Sequence, residues 1–187
     1  MGLLKCLENF KPRSHDVYTE NEMREINIAI LKERRVSVDD IAFLAYSAQS
    51  KYVDGLTLPE MQESVLEILG KRDQFHAIML AASVDVAAEK GLLDEPLQSI
   101  LMHDLGLFGL DETIAISIAG NYGQIGVTNF GNLDVNKPGK ISILQGDKEH
   151  CNCFLDDIVG AIAAVAAIRV AQRHALAEAN MPKEEIH

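Results

Sequence analysis

Residues 154–179 read FLDDIVGAIAAVAAIRVAQRHALAEA. No proline interrupts the stretch, and alanine, the best helix former, dominates it. An α-helix over that span is roughly 39 Å long at 1.5 Å per residue. Gly160, Ala161, Ala163, Ala164, Ala166 and Ala167 keep its surface small, so neighbouring helices can approach closely from several sides. This predicts a central helix surrounded by others, and with it an all-α, single-domain helical bundle.

The rest of the chain reads as the surrounding helices. Met23, Ile26 and Ile30 repeat at helical spacing within Glu22 to Arg34. Ser37 with Asp40, and Thr57 with Glu60, have capping-box spacing and open helices that run to about Tyr52 and Gly70. Phe75, Ile78, Met79, Ala82 and Val86 put one apolar side on a helix from Arg72 to Lys90, with Gly91 as its stop. Asp94 and Pro96 start a fifth. Asp104 to Leu110 is a tight loop, and Asp111 to about Ala119 a short apolar helix. Gly120 to Lys140 is rich in glycine and asparagine and is expected to be irregular. Residues 1–20 read as an N-terminal segment expected to be mobile, and 21–187 as one domain.

Composition narrows the function classes. The chain has 187 residues, 17 basic and 28 acidic, for a net charge of −11. Such a balance argues against nucleic acid as a partner, because phosphate neutralisation needs basic patches. An excess of carboxylates suits a hard divalent cation. Cys6, Cys151 and Cys153 are few and odd in number, and no secretory signal is visible, so a reducing, cytoplasmic setting is expected. The uncharged run Thr113 to Leu133 is long enough to span a bilayer, but its four glycines, three asparagines and Gln124 argue against a transmembrane helix.

Three acidic segments stand out. Asp156 and Asp157 open the alanine-rich helix, with Gly160 beside both on the helix surface. Asp134 and Lys137 lie in the turn-like Leu133 to Gly139, where a carboxylate could hold a metal and a lysine could meet a phosphate oxygen. Asp111 and Glu112 open the short apolar helix. Each has an ordinary reading taken alone: acids complementing a helix dipole, or a surface turn. Asp134 stands 23 positions after Asp111, and Asp156 a further 22 on. A bundle could fold all three onto one site. Five carboxylates together would need a cation, and Mg²⁺, with Mn²⁺ as the alternative, fits oxygen ligands best. His150, Cys151 and Cys153 supply at most three zinc ligands at an unusual spacing. His103 with Asp104 reads as a surface pair, and Lys32, Arg34 and Arg35 as a solvated helix end.

Leu133-Asp134-Val135-Asn136-Lys137-Pro138-Gly139-Lys140-Ile141, followed by Phe154-Leu155-Asp156-Asp157-Ile158-Val159-Gly160, resembles the phosphatidylglycerophosphatase A family. That family carries an Asp-x-x-Lys-Pro-x-x-Ile segment, then an Asp-Asp pair leading into a small-residue helix. Leu110-Asp111-Glu112 resembles its upstream acidic pair. The N-terminal half and the Asn121 to Gly131 segment look like the soluble branch that includes low-temperature-requirement C proteins. The resemblance implies Mg²⁺-dependent hydrolysis of phosphatidylglycerophosphate to phosphatidylglycerol. Asp134, Asp156 and Asp157 would hold the metal with Asp111 and Glu112, and Lys137 would neutralise phosphoryl charge. The nucleophile would be either a metal-bound water or a carboxylate.

A phosphorylated glycerolipid substrate implies transient contact with a membrane surface, and the apolar helix faces imply a homo-oligomer. Membrane-bound members have an arginine where Gly131 stands and a glycine-rich stretch where 149–153 stand. Those departures motivate the alternative expectation, a non-catalytic metal- or ligand-binding regulatory protein that keeps the acidic site.

Overall fold

A computed structural model describes residues 3–8, 10 and 17–180. Helices are the regular elements among them: α1 (Glu20–Glu33), α2 (Val38–Gln49), α3 (Leu58–Leu69), α4 (Arg72–Glu89), α5 (Leu97–Met102), α6 (Leu110–Ala119), α7 (Gly123–Asn136), α8 (Lys140–Gln145) and α9 (Leu155–Ala179). The fold is all-α, built on one hydrophobic core.

The centre of that core is α9. Every residue from Leu155 to Ile168 is buried, and α2, α3, α4, α6, α7 and α8 all pack against it. A helix apolar on all sides is stable only when enclosed in this way. Leu155, Ile158 and Ile162 are fully buried, each contributing about 1.5–3 kcal/mol of apolar burial. Beyond Val170 the helix leaves the core and its residues are mostly exposed.

Both expected caps form, at Ser37 and Thr57, and the structure adds a third at Thr19. The Glu22 carboxylate accepts from the Thr19 N–H, Asp40 from Ser37 and Glu60 from Thr57, each at 2.8 Å. Each such cap stabilises its helix by about 1 kcal/mol. At the N-terminus, the N–H groups of Lys5 and Cys6 donate to the Glu33 carboxylate at 3.0 and 2.7 Å. The mobility expected of residues 1–20 falls partly on residues 1, 2, 9 and 11–16, which lie outside those described.

One expectation is corrected. Gly120 to Lys140 is not irregular: Gly120–Tyr122 forms a 3-10 turn, and α7 follows directly. Gly126, Phe130 and Leu133 are its buried face, at i, i+4 and i+7. The glycine content reflects packing. A Cβ on Gly126 would lie 2.1 Å from the Ala119 carbonyl oxygen, so only glycine lets α7 fold back this closely on α6. Gly160 differs: a Cβ there would meet the Ile141 and Phe130 side chains at 3.4 and 3.5 Å, ordinary contact distances, so packing does not demand a glycine at that position.

Candidate functional site

Three segments distant in sequence meet at the N-terminal end of α9. Asp111 and Glu112 come from the first turn of α6, Asp134 from the last turn of α7, and Asp156 and Asp157 from the first turn of α9. Lys137 caps α7, its N–H donating to the Leu133 carbonyl at 2.8 Å. All six line one cavity of about 300 Å³, with Asp104, Asp147, His150, Cys151, Asn152 and Cys153 among the other lining residues.

The cluster has two parts that share Asp157. In the first, the Lys137 ammonium lies 2.6 Å from Asp134, 3.1 Å from Asp156 and 3.2 Å from Asp157. Lys137 adopts a left-handed backbone (φ 40°), and Pro138 prevents the helix from continuing. That conformation turns its side chain across the ends of α7 and α9. In the second part, ligand oxygens of Asp111, Glu112 and Asp157 lie within 4.8 Å of one another. Among the described residues, these are the His, Cys, Asp and Glu side chains that come close enough to share an ion. One oxygen each of Asp111 and Glu112 is buried with no hydrogen-bond donor. Two carboxylates facing each other are relieved either by a shared proton or by a cation. An all-oxygen donor set with orphaned oxygens fits a hard divalent ion such as Mg²⁺ or Mn²⁺.

The electrostatics follow from burial. Asp156 and Asp157 are 5% and 3% exposed. Burial pushes the Asp156 carboxyl up to about 6, against the pull of Lys137. Burial and then the charge of Asp156 push Asp157 up to about 8. Burial would lower the Lys137 ammonium, but Asp134, Asp156 and Asp157 outweigh it and hold it above its ordinary value. The Glu112 carboxyl is raised first by Asp111 beside it and then by burial.

A second layer, which sequence reasoning missed, holds the start of α9. Asp85 of α4 is fully buried and accepts from the Phe154 and Leu155 N–H groups at 3.2 and 3.0 Å. It is therefore the helix cap that α9 does not supply for itself. Burial pushes its carboxyl up to about 7. Arg34, expected in a solvated helix end, is buried and donates to Glu89, to the Cys151 carbonyl and to Asn152. Glu89 also accepts from the Cys151 N–H at 3.0 Å. A signal for Asp85 existed: it lies three residues after Ala82, on the apolar side of α4, where an acid needs a buried partner.

The other weighed residues take structural places. His103 is exposed against the Ser99 carbonyl, while Asp104 lines the cavity. Burial raises the Cys151 thiol to about 12, and Asp85 adds to the shift. His150 contacts Asp147 and Arg35 instead of joining the cysteines as a ligand trio.

Fold and site together define an all-helical protein whose cavity holds an oxygen-donor cluster beside a half-buried lysine. The chain belongs to the phosphatidylglycerophosphatase A family, whose sequence pattern matches residues 40–172. It is 44% identical over 157 residues to the uncharacterised protein YpjQ of Bacillus subtilis, covering 84% of this chain and 89% of that one. It is 47% identical over 147 residues to YutG of the same organism, also uncharacterised, covering 78% and 88%. The crystal structure of YpjQ superposes with a TM-score of 0.81 at 43% identity, covering 86% of this chain and 99% of that one. The low temperature requirement C protein of Listeria monocytogenes superposes at 0.78 with 44% identity, covering 82% and 97%.

Proposed function

We propose that the protein is a Mg²⁺-dependent phosphatase that hydrolyses phosphatidylglycerophosphate to phosphatidylglycerol. The observation that carries this is the convergence of Asp111, Glu112, Asp134, Lys137, Asp156 and Asp157 on one cavity, within a family named for that reaction. Asp111, Glu112 and Asp157 would hold the cation. When bound, it would supply Lewis acidity toward the phosphoryl group and acidify a water. Asp134 and Asp156 position Lys137, whose ammonium offsets negative charge on the phosphoryl oxygens.

The test is phosphate release from phosphatidylglycerophosphate in mixed micelles, with Mg²⁺ or with EDTA. Release is expected only with Mg²⁺, and Glu112→Gln and Asp157→Asn should lower it by about a hundredfold or more. Full activity in both variants would overturn the assignment.

A non-catalytic metal-binding role is the second reading. It is favoured by Gly131, which stands one helical turn before Asp134 and offers no cation to a phosphate. Tight metal binding without turnover of any phosphomonoester would favour it over the first.

A further inference from the structure

Between Asp104 and Asp111 the chain leaves the cavity and returns to it, since both aspartates line it. The excursion is Leu105-Gly106-Leu107-Phe108-Gly109-Leu110, without a charge. Phe108 is 102% exposed, Leu105 62% and Leu110 54%, and Met102 extends the apolar surface. Asp104, Gly106, Phe108 and Gly109 all have left-handed backbones, at φ 48°, 79°, 52° and 90°. A phenylalanine in that region is strained by about 1–3 kcal/mol. Its fully exposed side chain gains no packing in return among the described residues.

We infer that this loop docks the protein onto a lipid bilayer, with Phe108 entering the boundary between head groups and acyl chains. The inference rests on the lipid-phosphate reading of the site and names how that site reaches its substrate. Reach is the first argument. Phe108 is four residues from Asp104 and three from Asp111, so it lies within about 14 Å of the cavity lining even if the chain were fully extended. Side chains that bind bilayer interfaces sit about 5–10 Å deep at the head-group boundary. Anchored there, Phe108 would hold the cavity at the level of the head-group phosphates.

Area and charge are the second and third arguments. Three large apolar side chains bury on the order of 400 Å², about half of the roughly 800 Å² per partner that a stable protein contact needs. The loop is flanked by Asp104, Asp111 and Glu112, so a second copy meeting it symmetrically would bring like charges together. A bilayer requires neither a large flat area nor a matching copy. With a net charge of −11, attraction to anionic lipid does not drive the docking, so added monovalent salt does not weaken it.

The chain has no tryptophan, so Phe108→Trp places a single emission reporter at the tip. Its emission should shift to the blue when phosphatidylcholine vesicles containing a minority of phosphatidylglycerol are added with Mg²⁺. It should not shift when protein concentration alone is raised. Phe108→Ser should lose roughly tenfold to a hundredfold in vesicle co-flotation while hydrolysing a water-soluble phosphomonoester as the parent does. Emission unmoved by vesicles would overturn the inference, and so would a blue shift driven by protein concentration, which marks a contact between copies. Mg²⁺-dependent hydrolysis of the soluble ester without vesicle docking would remove the docking loop and leave the phosphatase. Docking without hydrolysis of any ester would support the loop and remove the phosphatase.

Discussion

Lys137 holds a left-handed backbone conformation that costs a non-glycine residue about 1–2 kcal/mol, and its side chain faces three carboxylates at 2.6 to 3.2 Å. It serves as an internal counter-ion, so removing it leaves buried acids uncompensated. Lys137→Met should destabilise the metal-free protein by about 2 kcal/mol at pH 8. That is less than for a fully buried pair, because the side chain is 23% exposed. Denaturant melts at pH 5.5 should show a smaller loss, since protonated acids need no counter-ion. A variant as stable as the parent at both pH values would show that the ammonium is dispensable. The acids carry a pH signature of their own. Asp156 and Asp157 are raised from 3.8 to about 6 and about 8, so the folded state binds protons that the unfolded state has released. Stability should therefore fall as pH rises from about 4 through about 8 and then level off. A cation held by Asp157 must displace its proton, so Mg²⁺ affinity, followed by calorimetry, should rise across pH 6 to 8. Flat affinity over that window would place the cation elsewhere. Asp157 belongs to both halves of the cluster and Asp134 only to the lysine half, so Asp157→Asn should weaken Mg²⁺ binding much more than Asp134→Asn.

At the scale of elements, two glycines separate what glycine content can mean. Gly126 lies where α6 and α7 cross, and a Cβ there would sit 2.1 Å from a backbone carbonyl oxygen. Gly126→Ala should destabilise by about 1–3 kcal/mol, since neither backbone can give way cheaply. Gly160 faces Ile141 and Phe130 side chains at 3.4 and 3.5 Å, an ordinary contact distance for a new methyl. Gly160→Ala should be neutral or stabilise by up to about 1 kcal/mol through helix propensity. Opposite signs in urea melts are the expected result, and a large loss at Gly160 would mean that the α9 packing tolerates no added atom. The same contrast explains the one misread element. The helical spacing of Gly126, Phe130 and Leu133 was present in the sequence, but four glycines and three asparagines between residues 113 and 133 concealed it. Propensity is a weak prior, and here close packing against α6 and α9 overrides it. Capping boxes and the α9 stretch were legible because their signals are local.

The whole molecule joins local and long-range information at one end of α9. The six site residues were legible as three acidic segments, because each carries its own sequence signature. Their division was not: the pairing of Lys137 with Asp134, Asp156 and Asp157, and the grouping of Asp111, Glu112 and Asp157, depend on how α6, α7 and α9 are placed. The supports Arg34, which caps α1, and Asp85 of α4 lie 117 and at least 69 positions from the backbone groups that they hold, so no local pattern could pair them. That arrangement makes the site a junction. A cation held by Asp111, Glu112 and Asp157 would tie α6 to the helix on which six others pack, and would do so only in the folded state. Ligand bound only to the native state stabilises it by about 2.7 kcal/mol at a hundredfold excess over Kd. For a chain of this size that corresponds to a rise in Tm of roughly 5–11 °C. Scanning calorimetry with Mg²⁺, with Mn²⁺ and with EDTA measures it directly. The rise should vanish in Glu112→Gln while that variant, relieved of one of two facing carboxylates, melts no lower than the parent in EDTA. A parent Tm indifferent to both cations would remove the metal from the site and leave Lys137 as the cation that the fold provides.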